Sequence, residues 1–470
     1  MARKERRSER KRAAAGKRAV APVPPVRPAP APAASPASAA LLRQASAHYG
    51  AGRPAAALEI CREVLAREPN RPDVLSFAGM IAVQLGALEE AIGHYRKALA
   101  LKPELVEVQY NLGLALERSG AHAAAADAYR AALARRPELV PAWHNLGNAL
   151  FALGRTEEAV AAYERALALR PNAESARSLG LALERLGRRE GAIAAYARAL
   201  ALRPGWPTAS SNLANACFAQ GEMAAALEAC EAWLAAAPAS IEASALKALA
   251  LNELGAREAA AVLYDFARLV QVRDLAAPAG YASLAEFNTA LVRHVEAHPS
   301  LKVPPADHPT YHHPALEITE ELFAEPRGPM AAFETLVRDA IAAYRASVAP
   351  EPPHPFLAHF PREWRLTSWA TRLSGWGNLV PHVHYDGYLG GVYYPLLPEI
   401  VAAEDQGEAG WFELGRPPAE LNLKAAPLVR RIQPKEGRLL LFPGYMYHGT
   451  VPFTSEERRI SIAFDLVALG

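Results

Sequence analysis

His382, His384 and Asp386 stand at alternate positions in the run PHVHYDGYLGGVYYPLLP, Pro381 to Pro398. Alternate residues of a strand project to the same side, so two or three metal-capable groups can converge there on one ion. A lone His-x-His arises by chance in many exposed strands. Its weight comes from a second stretch, EGRLLLFPGYMYHGTVPF, which places His448 at the end of an apolar strand. A third, RRISIAFDL, sets Arg459, Ser461, Ala463 and Asp465 on one face of a strand and Ile460, Ile462 and Phe464 on the other. A buried guanidinium requires an anion, and a carboxylate gripped by both its oxygens meets that need. That anion is either a bound ligand or a structural partner such as Asp465 or a nearby Glu. Arg458 faces outward.

The segments that carry these residues read as strands. From Arg365 the texture is RLTSWATRLSG, the HVH run, GGVYYPLLP, AGWFELG, VRRIQP, GRLLLFPG and RRISIAFDLVAL. Short strands separated by turn residues predict a double-sheet jelly roll (a double-stranded β-helix) rather than an open α/β sheet. Before them, residues 271–350 carry scattered prolines and one helix over GPMAAFETLVRDAIAAYRASV. The histidines of this region and its border, His294, His298, His308, His312, His313, His354 and His359, are irregularly spaced, and they are expected to be exposed or capping rather than ligating.

From about Ala39 the chain repeats itself. Prolines fall at 69, 103, 137, 171, 204 and 238, and glycines at 86, 120, 154, 187, 221 and 255. The clearest copy is AWHNLGNALFALGRTEEAVAAYERALALRP, Ala142 to Pro171. A 34-residue period with W-x2-LG, a mid-unit Gly, an Ala-rich second helix and a closing Pro is similar to the tetratricopeptide repeat. One unit cannot bury its own apolar face, so about seven pairs are expected to stack into a superhelix over residues 39–272. Such arrays mostly bind peptides. Asn111, Asn145 and Asn212 occupy equivalent places, with Ser178 in the unit between. In related arrays this place lines the concave face, which implies amides hydrogen-bonding a peptide backbone; the competing reading is that they satisfy a neighbouring helix.

Composition narrows the rest. The 470 residues are 51% hydrophobic and 21% charged, with a net charge of +2, values of a soluble globular protein with two or three domains. So small a charge argues against bulk attraction to nucleic acid or an anionic membrane. Cys61, Cys217 and Cys230 form no CxxC and sit in the repeats, so a reducing cytoplasm is expected. No apolar run is long enough for a membrane span. Residues 1–38 are basic and then rich in Pro and Ala, an extended disordered tail that acts either as a solubilising segment or as a tether to an anionic surface.

The blocks HVHYDGYLGGVYYPLLP, GWFELGRPP, EGRLLLFPGYMYHGTVPF and RRISIAFD, in that order, resemble the iron(II)- and 2-oxoglutarate-dependent oxygenases, in a subgroup often fused to helical repeats. The resemblance runs from Leu284 to the C-terminus, most strongly over Trp369 to Asp465, and makes 273–470 the oxygenase-like domain with a helical lead-in. It implies Fe(II), 2-oxoglutarate and O2, with the metal held on one face by about three protein groups. Two registers stay open. In one, His384, Asp386 and His448 are the ligands; in the other, His382, His384 and His448. The Arg-x-Ser pair implies that Arg459 and Ser461 hold the distal carboxylate of 2-oxoglutarate, with Tyr394 as a second donor. The implied activity is hydroxylation of a protein or peptide brought in by the repeats. A fused sulfotransferase or glycosyltransferase is disfavoured, because there is no GxxxxGK[ST] and no βαβ series. The remaining alternative is a repeat-based scaffold with a catalytically degenerate jelly-roll binding module.

Overall fold

The computed structural model describes residues 36–305, 316–324, 327–348, 354–374, 379–402 and 407–469. Nearly all of the basic Pro/Ala tail, and with it His308, His312 and His313, lie outside the described residues. The chain divides into two compact units, up to Leu202 and from Arg203 onward.

Among the described residues, the first unit holds five helix pairs, Pro36–Gly50 with Pro54–Arg67 through Ala173–Arg185 with Arg189–Leu202. The repeat's small residues have steric reasons. Gly154, just past the end of a first helix, has φ +77°, the left-handed turn that a glycine adopts without a Cβ clash. Gly147 lies against Tyr163, and a Cβ there would come within 2.5 Å of the ring. The same pairing recurs at Gly113 with Tyr129 and Gly180 with Tyr196. Ala149, Ala159 and Ala166 are fully buried where the helices approach.

The second unit begins with two further pairs, Pro207–Gln220 with Met223–Ala236 and Ile241–Glu253 with Arg257–Leu263. The strands follow: β1 (Gln271–Asp274), β2 (Leu316–Ile318), β3 (Trp364–Ser374), β4 (Gly387–Leu396), β5 (Phe412–Leu414), β6 (Arg430–Ile432), β7 (Arg438–Pro443), β8 (His448–Thr450) and β9 (Arg458–Ala468). They form two antiparallel sheets, one of six strands in the order β1-β7-β4-β9-β3-β2 and one of three in the order β6-β5-β8. Helices Leu284–Glu296 and Pro329–Ser347 bury Phe287, Leu291, Phe333 and Ile341. Phe333 packs on Tyr393 of β4 at 5.2 Å and on Phe464 of β9 at 6.3 Å. The opposite side chains of β4 and β9 are thereby left to face the candidate site.

A helix end leaves carbonyls without partners, and side chains from later in the chain supply them here. The hydroxyl of Tyr445 donates to Leu263 O at 2.6 Å and that of Tyr344 to Leu269 O at 2.9 Å. Arg430 donates to Phe266 O, and His354 Nε2 lies 2.8 Å from Val262 O. His354 is thus buried and capping.

Candidate metal centre

His382 and His448 face each other across a bridge between the 379–382 segment and β8, each donating its backbone N–H to the other's carbonyl at 3.0 Å. His384 comes in from the same segment two residues later. One ring nitrogen from each of the three lies within 4.8 Å of the others. Phe442 and Phe412 pack on His448 at 4.7 and 5.8 Å, and Trp369 meets His384 edge-on at 5.2 Å.

The tautomers follow from the acceptors. His382 Nδ1 lies 2.8 Å from Val380 O, His448 Nδ1 lies 3.1 Å from Met446 O, and His384 Nδ1 lies 2.8 Å from Asp465 Oδ1. A carbonyl or carboxylate only accepts, so each Nδ1 carries the hydrogen and each Nε2 of a neutral ring is left with a lone pair. Nε2 of His382 and Nε2 of His384 are 3.1 Å apart. That is hydrogen-bond distance, and two lone pairs are compatible with it only when a proton or a metal ion lies between them. A proton is disfavoured, because burial, reinforced by neighbouring His384, pushes His382 down to about 3. Burial likewise holds His448 well below its ordinary value. Three imidazoles converging on one point, each oriented by an oxygen on Nδ1, are a donor set that suits a divalent transition metal.

The same cavity is lined by Arg459, Ser461, Tyr394 and Thr371. Arg459 is buried, donates to Gly410 O at 2.7 Å, and stands 5.3 Å from the ring of Tyr394 and 5.5 Å from that of Phe453. No carboxylate pairs with it among the described residues, and burial pulls its pKa below the usual value. The Tyr394 hydroxyl is buried without a hydrogen bond of normal geometry, and its desolvation raises it to about 12. Ser461 Oγ and Thr371 Oγ1 are 2.7 Å apart. An unpaired buried cation beside an orphaned hydroxyl is a setting that an anionic ligand completes.

The residues singled out by sequence divide accordingly. His382, His384, His448, Arg459, Ser461 and Tyr394 share one cavity. Asp386 does not join them: it is exposed in the turn ahead of β4. Arg458 is exposed and pairs with Glu296. Asn145 donates to Tyr110 Oη at 3.1 Å, while Asn111 and Asn212 are buried in their helices. The sequence reading missed Asp465 as the partner of His384. Its place on the face of Arg459 and Ser461 was visible, but its target was not.

The family described as "Putative 2OG-Fe(II) oxygenase" matches residues 367–465. Five tetratricopeptide-repeat families match within residues 39–241. No curated protein sequence matches the chain. Similar solved structures include "Crystal structure of MamA", 27% identical, covering 33% of this chain and 92% of that one with a TM-score of 0.33. Another is "MamA 41-end from Desulfovibrio magneticus RS-1", 23% identical, covering 36% of this chain and 97% of that one with a TM-score of 0.35.

Proposed function

We propose that this chain, which carries tetratricopeptide repeats and a C-terminal 2OG-Fe(II) oxygenase domain, is an iron(II)- and 2-oxoglutarate-dependent hydroxylase acting on a protein or peptide. One observation carries the reading. One ring nitrogen from each of three histidines and a buried arginine that no carboxylate pairs with among the described residues line the same cavity. The two antiparallel sheets that enclose it support the jelly-roll reading.

Of the two ligand registers, we favour His382, His384 and His448, because Asp386 lies outside the cluster. Iron(II) bound there would activate O2, one oxygen atom going to the substrate and the other to 2-oxoglutarate, which leaves as succinate and CO2. The chain's own residues would do the rest. Asp465 holds the His384 ring by its Nδ1 hydrogen, so that Nε2 stays a donor of electrons to the centre. Arg459, flanked by Ser461 and Tyr394, would take a carboxylate of 2-oxoglutarate through its planar fork. Phe412, Phe442 and Val392 line the cavity with apolar surface and limit water. Tetratricopeptide repeats are protein-interaction modules, and here they would bring in the substrate, with Asn111, Asn145 and Asn212 as the proposed amides. Three free, buried cysteines support a reducing cytoplasm. Among the described residues, no helix is long and apolar enough to cross a membrane.

The test is conversion of 2-oxoglutarate to succinate by the purified chain with added iron(II), with His448→Ala as control. Succinate formed equally by both proteins would remove His448 from the metal site, and succinate formed by neither would leave the domain a binding module.

A further inference from the structure

The helix Ile241–Glu253 ends on two polar side chains that hold a stretch of this chain's own backbone. The Glu253 carboxylate accepts from Lys424 N at 3.0 Å and from Ala425 N at 2.6 Å. The Asn252 amide donates to Ala426 O at 3.1 Å. Three consecutive residues are therefore held through their main chain alone, the mode by which a receptor captures an extended peptide whatever its side chains.

The held segment is not part of the fold's core. Residues 422–429 form neither helix nor strand, and none of them is buried. They belong to a long connection whose ends are fixed independently, since Phe412 pairs with Ile432 and Leu414 with Arg430. None of the β5–β6 pairs involves a residue of this segment. Other contacts also hold these helices to the later part of the chain: Tyr445, ahead of β8, donates to Leu263 O, and Tyr344, on the helix Pro329–Ser347, to Leu269 O.

Its seat is also incompletely satisfied. Leu249, Asn252 and Tyr264 border a small cavity, closed from the other side by Leu423, Ala425 and Pro427. Asn252 Oδ1 and the Tyr264 hydroxyl are buried there without hydrogen-bond partners among the described residues. Unpaired buried polar atoms weaken the contact that leaves them so, and a better-fitting chain would regain what they lose.

We propose that Leu423–Leu428 is an internal occupant of a peptide-binding site on the terminal repeat. The external partner is an extended protein segment of the same chemistry, with small side chains and a proline following consecutive free amides. Partner binding then means displacement of the chain's own segment. The inference rests on the reading of the repeats as the recruiting part of the molecule.

The experiment uses the full chain with residues 422–428 replaced by an equal length of Gly and Ser. Binding of a labelled, end-blocked peptide Asn-Leu-Lys-Ala-Ala-Pro-Leu is measured by fluorescence anisotropy. The opened chain should bind it at least about tenfold more tightly than the intact chain does. Adding Glu253→Ala, which removes two charge-assisted hydrogen bonds, should cost at least about tenfold in affinity. No binding by the opened chain, or binding indifferent to Glu253→Ala, would overturn the proposal. Should the opened chain fail to fold, amide exchange in the intact chain decides. Excess peptide should accelerate exchange at Lys424 and Ala425 while the β5 and β6 amides stay protected, and unchanged exchange counts against displacement. Neither readout involves iron or 2-oxoglutarate, so failure here leaves the oxygenase reading standing, and absence of succinate leaves this one.

Discussion

His384 Nδ1 lies 2.8 Å from Oδ1 of Asp465, across 81 residues of chain. Gly387 leaves room for that contact, since a Cβ there would fall 2.6 Å from the Asp465 carboxyl carbon. Asp465 is buried on β9 and orients the ring from behind. Asp465→Asn keeps the shape but weakens the acceptor and permits the wrong tautomer. Loss of such an outer partner typically lowers metal affinity by about 10- to 100-fold. Titration with Co(II), followed by its visible absorption, should show a drop of that size with the thermal unfolding midpoint little changed. Affinity equal to wild type would reduce Asp465 to a packing residue.

The two ligand registers give opposite outcomes for a pair of variants. His382→Ala should abolish tight metal binding, because it removes one of three converging Nε2 donors. Asp386→Ala, in an exposed turn, should leave it nearly unchanged. Isothermal titration with a divalent metal separates them, and the reverse order of sensitivity would restore the carboxylate register.

Arg459 and Arg458 are neighbours with opposite surroundings, one buried in the cavity and one exposed beside Glu296. Truncating one partner of a buried charged pair costs about 2–5 kcal/mol, or on the order of thirty- to several-thousand-fold in affinity. Arg459→Ala should raise the 2-oxoglutarate requirement by that range. Arg459→Lys should raise it less, since lysine keeps the charge but loses the planar fork. Arg458→Ala should do little. Equilibrium binding of 2-oxoglutarate to each metal-loaded variant checks all three. Sensitivity at Arg458 instead would move the carboxylate anchor elsewhere.

A pH dependence is built into the helical repeats. His144 is buried, with Nδ1 3.0 Å from Ser175 Oγ and Nε2 accepting from Asn148 Nδ2 at 3.2 Å. Burial pushes its pKa from the ordinary 6.5 down to about 4. A histidine held neutral in the folded state binds its proton more readily when unfolded. Its contribution to stability is therefore complete above pH 6.5 and is lost as pH falls toward 4. The full loss corresponds to about 3 kcal/mol, since each tenfold change in proton affinity is worth roughly 1.4 kcal/mol. Urea midpoints measured at pH 7.5 and 4.5 should differ less in His144→Gln than in wild type. Equal differences would mean that other groups dominate the acid limb.

Much of this protein is legible in its sequence because the signals are short-ranged. The 34-residue period records local necessities, such as Gly147 against Tyr163 and the left-handed Gly154. Alternation along a strand likewise puts Arg459 and Ser461 on one face before any fold is known. Asp386 and Asp465 could not be told apart in this way. By spacing, Asp386 is the natural partner of His384, two residues away, yet the chain turns between them and leaves Asp386 in solvent. Asp465 reaches His384 only because β9 lies next to β4 in the sheet, an order that no local pattern encodes. The grip of Glu253 on Lys424 and Ala425, 171 and 172 residues away, is of the same kind. Backbone amides carry no side-chain signature, so only the tertiary structure could decide which ones that carboxylate would meet.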